Sequence, residues 1–188
     1  MTEIEENRET LKKRAEAMAA PAENGTGPEK HTEFLEFLLA GEHYAVELAF
    51  VREVCAGKQI TRIPGAPPFL AGVANIRGRI LPVADLAVFF GIRAEEADRR
   101  TMVILRGRGA AEQAAAGEVQ ELGILADAVL GVRSLSLAEI QPPPPGFAGI
   151  HAQYLGGITP RGLIIFRADR FIEANYGTAQ PAVVGQSK

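Results

Sequence analysis

The chain has 188 residues, 47% of them apolar and 23% charged, with a net charge of −3. That is a folded, soluble composition with room for one ordinary domain or two small subdomains sharing a core. The acidic balance gives no reason to expect nucleic acid or an anionic membrane as main partner, no run of about 18 apolar residues is present to insert into a bilayer, and the single cysteine, Cys55, excludes an internal disulfide.

Residues 1–30 form a charged extension. Ile4, Leu11 and Met18 recur every seven residues, which suits a short helix with a thin apolar seam. Such a helix either docks on a partner, frays in solvent or folds back on the domain, and PAENGTGPEK at 21–30 is a flexible linker by composition. The charged N-terminus lacks an apolar signal region, so together with the lone cysteine it sets a cytoplasmic expectation.

From His31 the pattern changes to strands. TEFLEFLLAGEHYAVEL predicts a β-hairpin turning at Gly41-Glu42-His43. FVREVCAG suits a strand or one helical turn, and the prolines of QITRIPGAPPFLAG make it a loop. GVANIRGRILPVADL predicts a second hairpin, with Asp85 capping a short helix over DLAVFFGI. After an AEEADRR connector, TMVILRG is a strand followed by a small-residue loop, and ELGILADAVLGVRSLSL gives two strands broken near Ala128 to Gly131. Pro142 to Pro145 impose an extended segment, two last strands flank Thr159-Pro160-Arg161-Gly162, a helix starts near Ala168, and residues 177–188 form a disordered tail. About nine or ten short strands with little helix between them predict an all-β barrel or sandwich.

Catalytic chemistry is nearly absent from this inventory. His31, His43 and His151 do not pair at a ligand-like interval, so no metal is expected and all three read as surface residues. Cys55 reads as a half-buried structural thiol, while Asp85 and Asp127 are explained by capping and turn roles more simply than by acid–base work. Arg99, Arg100, Arg106 and Arg108 lack the interleaved aromatics that stack bases. No phosphate-cradling motif occurs and no cofactor is implied. An interaction module is the default.

The residues that invite contact lie at the Asn75-Ile76-Arg77-Gly78-Arg79 tip. Gly78 permits positive φ, and Asn75 can hold the turn by bonding its own backbone. Arg77 either projects outward for bidentate contact with a partner carboxylate or pairs internally with Glu53. Val51, Glu53, Val73 and Ile76 are the candidates for a patch around that arginine, with ordinary core as the competing reading of the valines.

In order along the chain, FLEFLLAGEHYAVEL, FVREV, ITRIPGAPPFLAGVANIRGRILPVADL, LGILADAVLGV, IQPPPP and GLIIFRADRFI resemble the CheW family over roughly residues 31–175. The resemblance implies two intertwined SH3-like five-stranded β-barrels with short helices, a C-terminal helix and a hydrophobic groove between the barrels. In sequence terms this is a domain at 31–176, with barrels at 31–92 and 99–158 closed by 160–176. It implies a non-catalytic adaptor that binds the cytoplasmic tip of methyl-accepting chemoreceptors and the regulatory domain of a CheA-type histidine kinase, recruited to receptor arrays. Carried over by position, Val51 and Glu53 match receptor-contact positions and Arg77 matches an arginine of receptor and kinase coupling. Met102 and Gly123 fall where the second barrel would line the receptor groove. Asn75, Gly78 and Asp85 match motif positions with a structural role. The N-terminal extension and the Ala-rich loop at 109–118 exceed a minimal member. A chemosensory-like pathway for pili, gliding or development is the alternative setting; a truncated CheV relative lacks room for a receiver, and an enzyme using Asp85 or Asp127 is the remaining rival.

Overall fold

The computed structural model describes residues 31–56, 59–92, 101–107, 120–143 and 151–179. The expected N-terminal helix, the AEEADRR connector, the Ala-rich loop, the last two prolines of the run and residues 180–188 lie outside the described residues.

Strands β1 (His31–Leu39) and β2 (Glu42–Glu47) form the first hairpin. A 3₁₀ turn at Leu48–Phe50 leads to β3 (Val51–Ala56), β4 (Ile60–Thr61), β5 (Leu70–Ile76) and β6 (Arg79–Asp85). Helix α1 (Leu86–Phe89) follows, then β7 (Thr101–Arg106), β8 (Glu121–Ala126), β9 (Ala128–Ser136), β10 (Leu155–Ile158), β11 (Ile164–Phe166) and helix α2 (Ala168–Ala179). Asp85 caps α1 as its sequence position suggests: its Oδ1 accepts from the amides of Ala87 at 3.0 Å and Val88 at 3.2 Å. Helix α2 starts at Ala168 as expected and runs past Gly177, where the sequence suggested a tail.

The strands make two sheets, in the orders β10-β11-β2-β1-β9 and β3-β7-β8-β6-β5-β4. This corrects the division into barrels at 31–92 and 99–158. One barrel is continuous, from β3 to β8, and is inserted into the other, which is split between β1–β2 and β9–β11. The inserted barrel also has six strands rather than five, the sixth being the two-residue β4. The error has a physical source. The parallel pairings β2–β11 and β6–β8 join strands far apart in the chain, and alternation along one strand does not name its neighbour.

The split barrel is closed by a bridge: Gln141, just past β9, pairs with Ile158 of β10 at the opposite edge. In the inserted barrel the two edge strands, β3 and β4, follow one another in the chain. Phe34, Ala45, Leu135, Leu163 and Ile165 fill the split barrel, and Ala74, Ile76, Leu81, Val83, Met102, Ile104 and Leu125 fill the inserted one. The largest cluster lies between them. Leu35, Phe37 and Leu39 of β1 meet Val103 and Leu105 of β7, Leu122 and Ile124 of β8, and Phe171 and Ile172 of α2. Strands β7 and β8 are therefore covered on both faces, which is why TMVIL and LGILA read as nearly continuous apolar runs. Each large side chain so buried contributes roughly 1.5–3 kcal/mol, so the two barrels hold together as one body.

Candidate functional site

The β5–β6 hairpin turns through two residues, Arg77 at φ 51° and Gly78 at φ 84°. Both central residues lie at positive φ, the type I′ geometry whose twist matches the flanking strands. Gly78 takes this at no cost, while a non-glycine residue there carries about 1 kcal/mol of strain. The Gly78 amide donates to Asn75 Oδ1 at 2.8 Å, so Asn75 secures the turn as its residue type predicts.

Arg77 pairs internally with Glu53 and still projects outward. Its Nη2 lies 2.8 Å from Glu53 Oε2, yet its side chain is 79% exposed. An ion pair so exposed contributes at most about 1 kcal/mol. It orients the guanidinium and leaves most of its donors facing outward.

Beside this pair lies a cluster that the sequence does not advertise. Glu121, at the start of β8, has a side chain only 3% exposed; Arg52 Nη1 donates to its Oε1, and Arg79 Nη1 lies 2.9 Å from its Oε2. Arg106 of β7 opposes Glu121 in register and is exposed. Two glutamates thus sit among four arginines at one end of the inserted barrel, an excess of positive charge suited to a carboxylate-bearing partner.

The other candidates separate. Val51 and Val73 are half-buried, Val51 against the inter-barrel core. Ile76 is 4% exposed and Met102 1%, both inside the inserted barrel, and Gly123 is buried beside Met102. Met102 and Gly123 therefore do not line a surface groove: β7 and β8 are covered on both faces, and a Cβ on Gly123 would stand 3.0 Å from Met102 Sδ. Ile80, which opposes Asn75 across the hairpin, is 67% exposed, and Val54, next to Glu53, is 43% exposed. Ile80 and Val54 are the apolar surface residues that sequence reasoning missed. The signal was parity, since Asn75 faces outward and its cross-strand partner must as well.

The residues set aside earlier also find places. The first hairpin turns at Ala40-Gly41, not at Gly41-Glu42-His43, so His43 lies on β2, where its Nδ1 is 2.7 Å from Glu36 Oε1. His151 is not a surface residue: it is half-buried, 4.5 Å from the ring of Phe89. Cys55 packs half-buried against the inserted barrel's core, and Asp127 Oδ2 accepts from the Ala40 amide at 2.6 Å. Among the described residues no three His, Cys, Asp or Glu side chains gather as a metal site, and no helix is long and apolar enough to cross a membrane.

Residues 33–174 match the model of the CheW-like domain. The chain belongs to the CheW family. It is 35% identical to the chemotaxis protein CheW of Klebsiella aerogenes over 130 residues, covering 69% of this chain and 73% of that one. It is also 32% identical to protein FrzA of Myxococcus xanthus over 130 residues, covering 69% and 76%. The crystal structure of the scaffolding protein TtCheW from Thermoanaerobacter tengcongensis superposes with a TM-score of 0.59 at 31% identity, covering 73% of this chain and 89% of that one. This CheW-family chain thus has the all-β, SH3-like fold that its motif order implied.

Proposed function

We propose that this protein is a non-catalytic adaptor of chemosensory signalling, coupling the cytoplasmic tip of methyl-accepting chemoreceptors to the regulatory domain of a CheA-type histidine kinase. Its family membership supports the adaptor role. The arginine tip supports the mode of contact: Arg77 is held in a strained turn, aimed by Glu53, and left 79% exposed. The exposed guanidinium at the tip, with most of its donors turned to solvent, supports a contact made outside the chain. Arg77, the exposed Arg106, Val54 and Ile80 give charge with apolar neighbours, the makeup of an interface hot spot. Val51, Glu53 and Val73 support that surface from beneath. Individual signalling contacts are small and weak, and an array compensates by multivalency on the cytoplasmic side of the membrane. The likeness to FrzA is also compatible with a second reading, the same adaptor role in a chemosensory-like pathway for pili, gliding or development.

Capture on the purified chain tests this. Wild type is expected to retain receptors and a CheA-like kinase from a lysate of the source organism, and Arg77→Glu to retain at least tenfold less, about 1.4 kcal/mol, with its melting temperature unchanged. A sharp fall in melting temperature would make Arg77 an internal brace instead. Retention of neither partner by wild type would remove the coupling reading.

A further inference from the structure

The interior of the inserted barrel can be followed strand by strand to its end. Cys55 of β3, Leu81 of β6, Ile104 of β7 and Leu125 of β8 all pack into that interior. Residues at even intervals along a strand share a face. Glu53, Arg79, Arg106 and Glu121 therefore continue the same inward-facing rows, and each row ends on a charge. Arg52 joins them from β3. It is the extra residue where β3 shifts register against β7, a bulge that re-aims its side chain, and its Nη1 donates to Glu121. Arg77, at the tip of the β5–β6 hairpin, reaches Glu53.

This charged layer is sorted by depth. The carboxylates lie low, with the side chain of Glu121 3% exposed and that of Glu53 18%. The arginines stand above them: Arg52 and Arg79 are 35% and 44% exposed, and Arg77 far more. Arg106 is exposed and makes no ion pair among the described residues. Arg79 Nη1 lies 2.9 Å from Glu121 Oε2, yet among the described residues that oxygen receives no hydrogen bond. The pair thus holds Arg79 by charge and leaves its N–H donors unspent. Four arginines less two glutamates leave a charge of +2 at the barrel mouth, and guanidinium donors are what a partner meets first.

We propose that this mouth binds two acidic side chains of a protein partner, one carboxylate taken by Arg77 and a second by Arg79 with Arg106. Arg77 and Arg79 lie at most about 7 Å apart at their Cα atoms, so both carboxylates come from neighbouring side chains of one segment. Glu53 and Glu121 are positioning residues: they hold the guanidiniums in place from below and leave the upper donors for charge-assisted, bidentate bonds. The inference rests on the coupling reading for who the partner is, and adds what that partner presents.

The experiment titrates the full chain with hexaglutamate, and with hexaglutamine as the uncharged control, following amide and arginine Nε–H signals by NMR. At an ionic strength of about 0.01 M, where screening is weak, hexaglutamate is expected to shift signals of residues 52–53, 77–79, 106 and 121, and hexaglutamine to shift none of them. Arg77→Gln and Arg106→Gln leave both ion-pair partners of the buried Glu121 in place, so their melting temperatures are expected to hold. Each is expected to weaken hexaglutamate binding about threefold. Arg170→Gln, an equal loss of charge on α2, is expected to bind as wild type does. Equal binding by Arg77→Gln and Arg106→Gln, equal shifts with hexaglutamine, or shifts spread over arginines outside the mouth would overturn the proposal. The coupling reading fails separately. Wild type that retains kinase and receptors but gives no localised response to hexaglutamate overturns this proposal alone. A localised response with neither partner retained supports the acidic site and removes only the partner's identity.

Discussion

The two barrels each present a hairpin with the same turn and a different residue at its tip. In β1–β2 the central pair is Ala40 at φ 52° and Gly41 at φ 82°; in β5–β6 it is Arg77 at 51° and Gly78 at 84°. Each turn is secured by a side-chain oxygen on a backbone amide, Asp127 on Ala40 and Asn75 on Gly78. The backbones are near-equivalent, so the type I′ turn makes no demand for arginine. Arg77 gains one exposed pair with Glu53 from its position, worth at most about 1 kcal/mol. The alanine hairpin is thus an internal control for the arginine hairpin: what differs between them is the chemistry offered to a partner.

The likeness between barrels extends to a glycine pressed against a neighbouring backbone in each, and here the largest effects are expected. Gly72 in β5 and Gly157 in β10 both sit at a register shift with φ near +145°, at 144° and 147°. A Cβ on Gly72 would lie 2.2 Å from Thr61 O in β4, and one on Gly157 2.4 Å from Gln141 O in the closing bridge. Both neighbours are backbone and cannot swing aside. Gly72→Ala and Gly157→Ala are each expected to cost more than about 3 kcal/mol, clash added to strain, read as a lost or greatly lowered urea midpoint. If one is tolerated and the other is not, the two close approaches are not equivalent.

Next in size is the difference between the buried glutamates. Glu36 in the split barrel is held by His43 and by Arg133, whose Nη2 lies 2.7 Å from its Oε2, while Glu121 in the inserted barrel is held by Arg52 and Arg79. Removing both arginines, Arg52→Ala with Arg79→Ala, deprives a buried carboxylate of its two ion-pair partners and is expected to cost about 3 kcal/mol. Glu121→Gln keeps the volume and part of the hydrogen bonding, and leaves two half-exposed arginines that water can solvate, so about 1–2 kcal/mol is expected. Urea unfolding of both proteins decides the order. A glutamine variant less stable than the double alanine would show that the arginines, not the glutamate, carry the desolvation cost.

How much of this was legible in the sequence follows the range of each interaction. The Asp85 cap and the Asn75–Gly78 turn act within three residues, and the sequence displays them. The barrel division failed because β6–β8 and β2–β11 are non-local pairings. Met102 and Gly123 failed for a related reason: their burial depends on which strands cover β7 and β8, not on their own alternation. Glu121 was invisible because Arg52 lies 69 residues away, so a lone acid at the head of an apolar strand looks like any strand end. Family resemblance supplied the fold that local pattern could not, and it also carried the two misplaced residues.

The smallest expected effects return to the two turns. Asparagine tolerates positive φ better than alanine or arginine. Ala40→Asn is therefore expected to raise stability by about 0.5–1 kcal/mol and to leave kinase and receptor capture unchanged. Arg77→Asn gains the same relief and loses the Glu53 pair, so its stability should stay within about 0.5 kcal/mol of wild type, while capture falls as it does for Arg77→Glu. Melting curves beside capture on both variants check this. If Arg77→Asn binds as well as wild type, the positive tip is not the contact, and the loss in Arg77→Glu would come from repulsion by the new carboxylate. If it binds poorly at full stability, the turn bears its strain for the sake of the guanidinium, because nothing else at that position has changed.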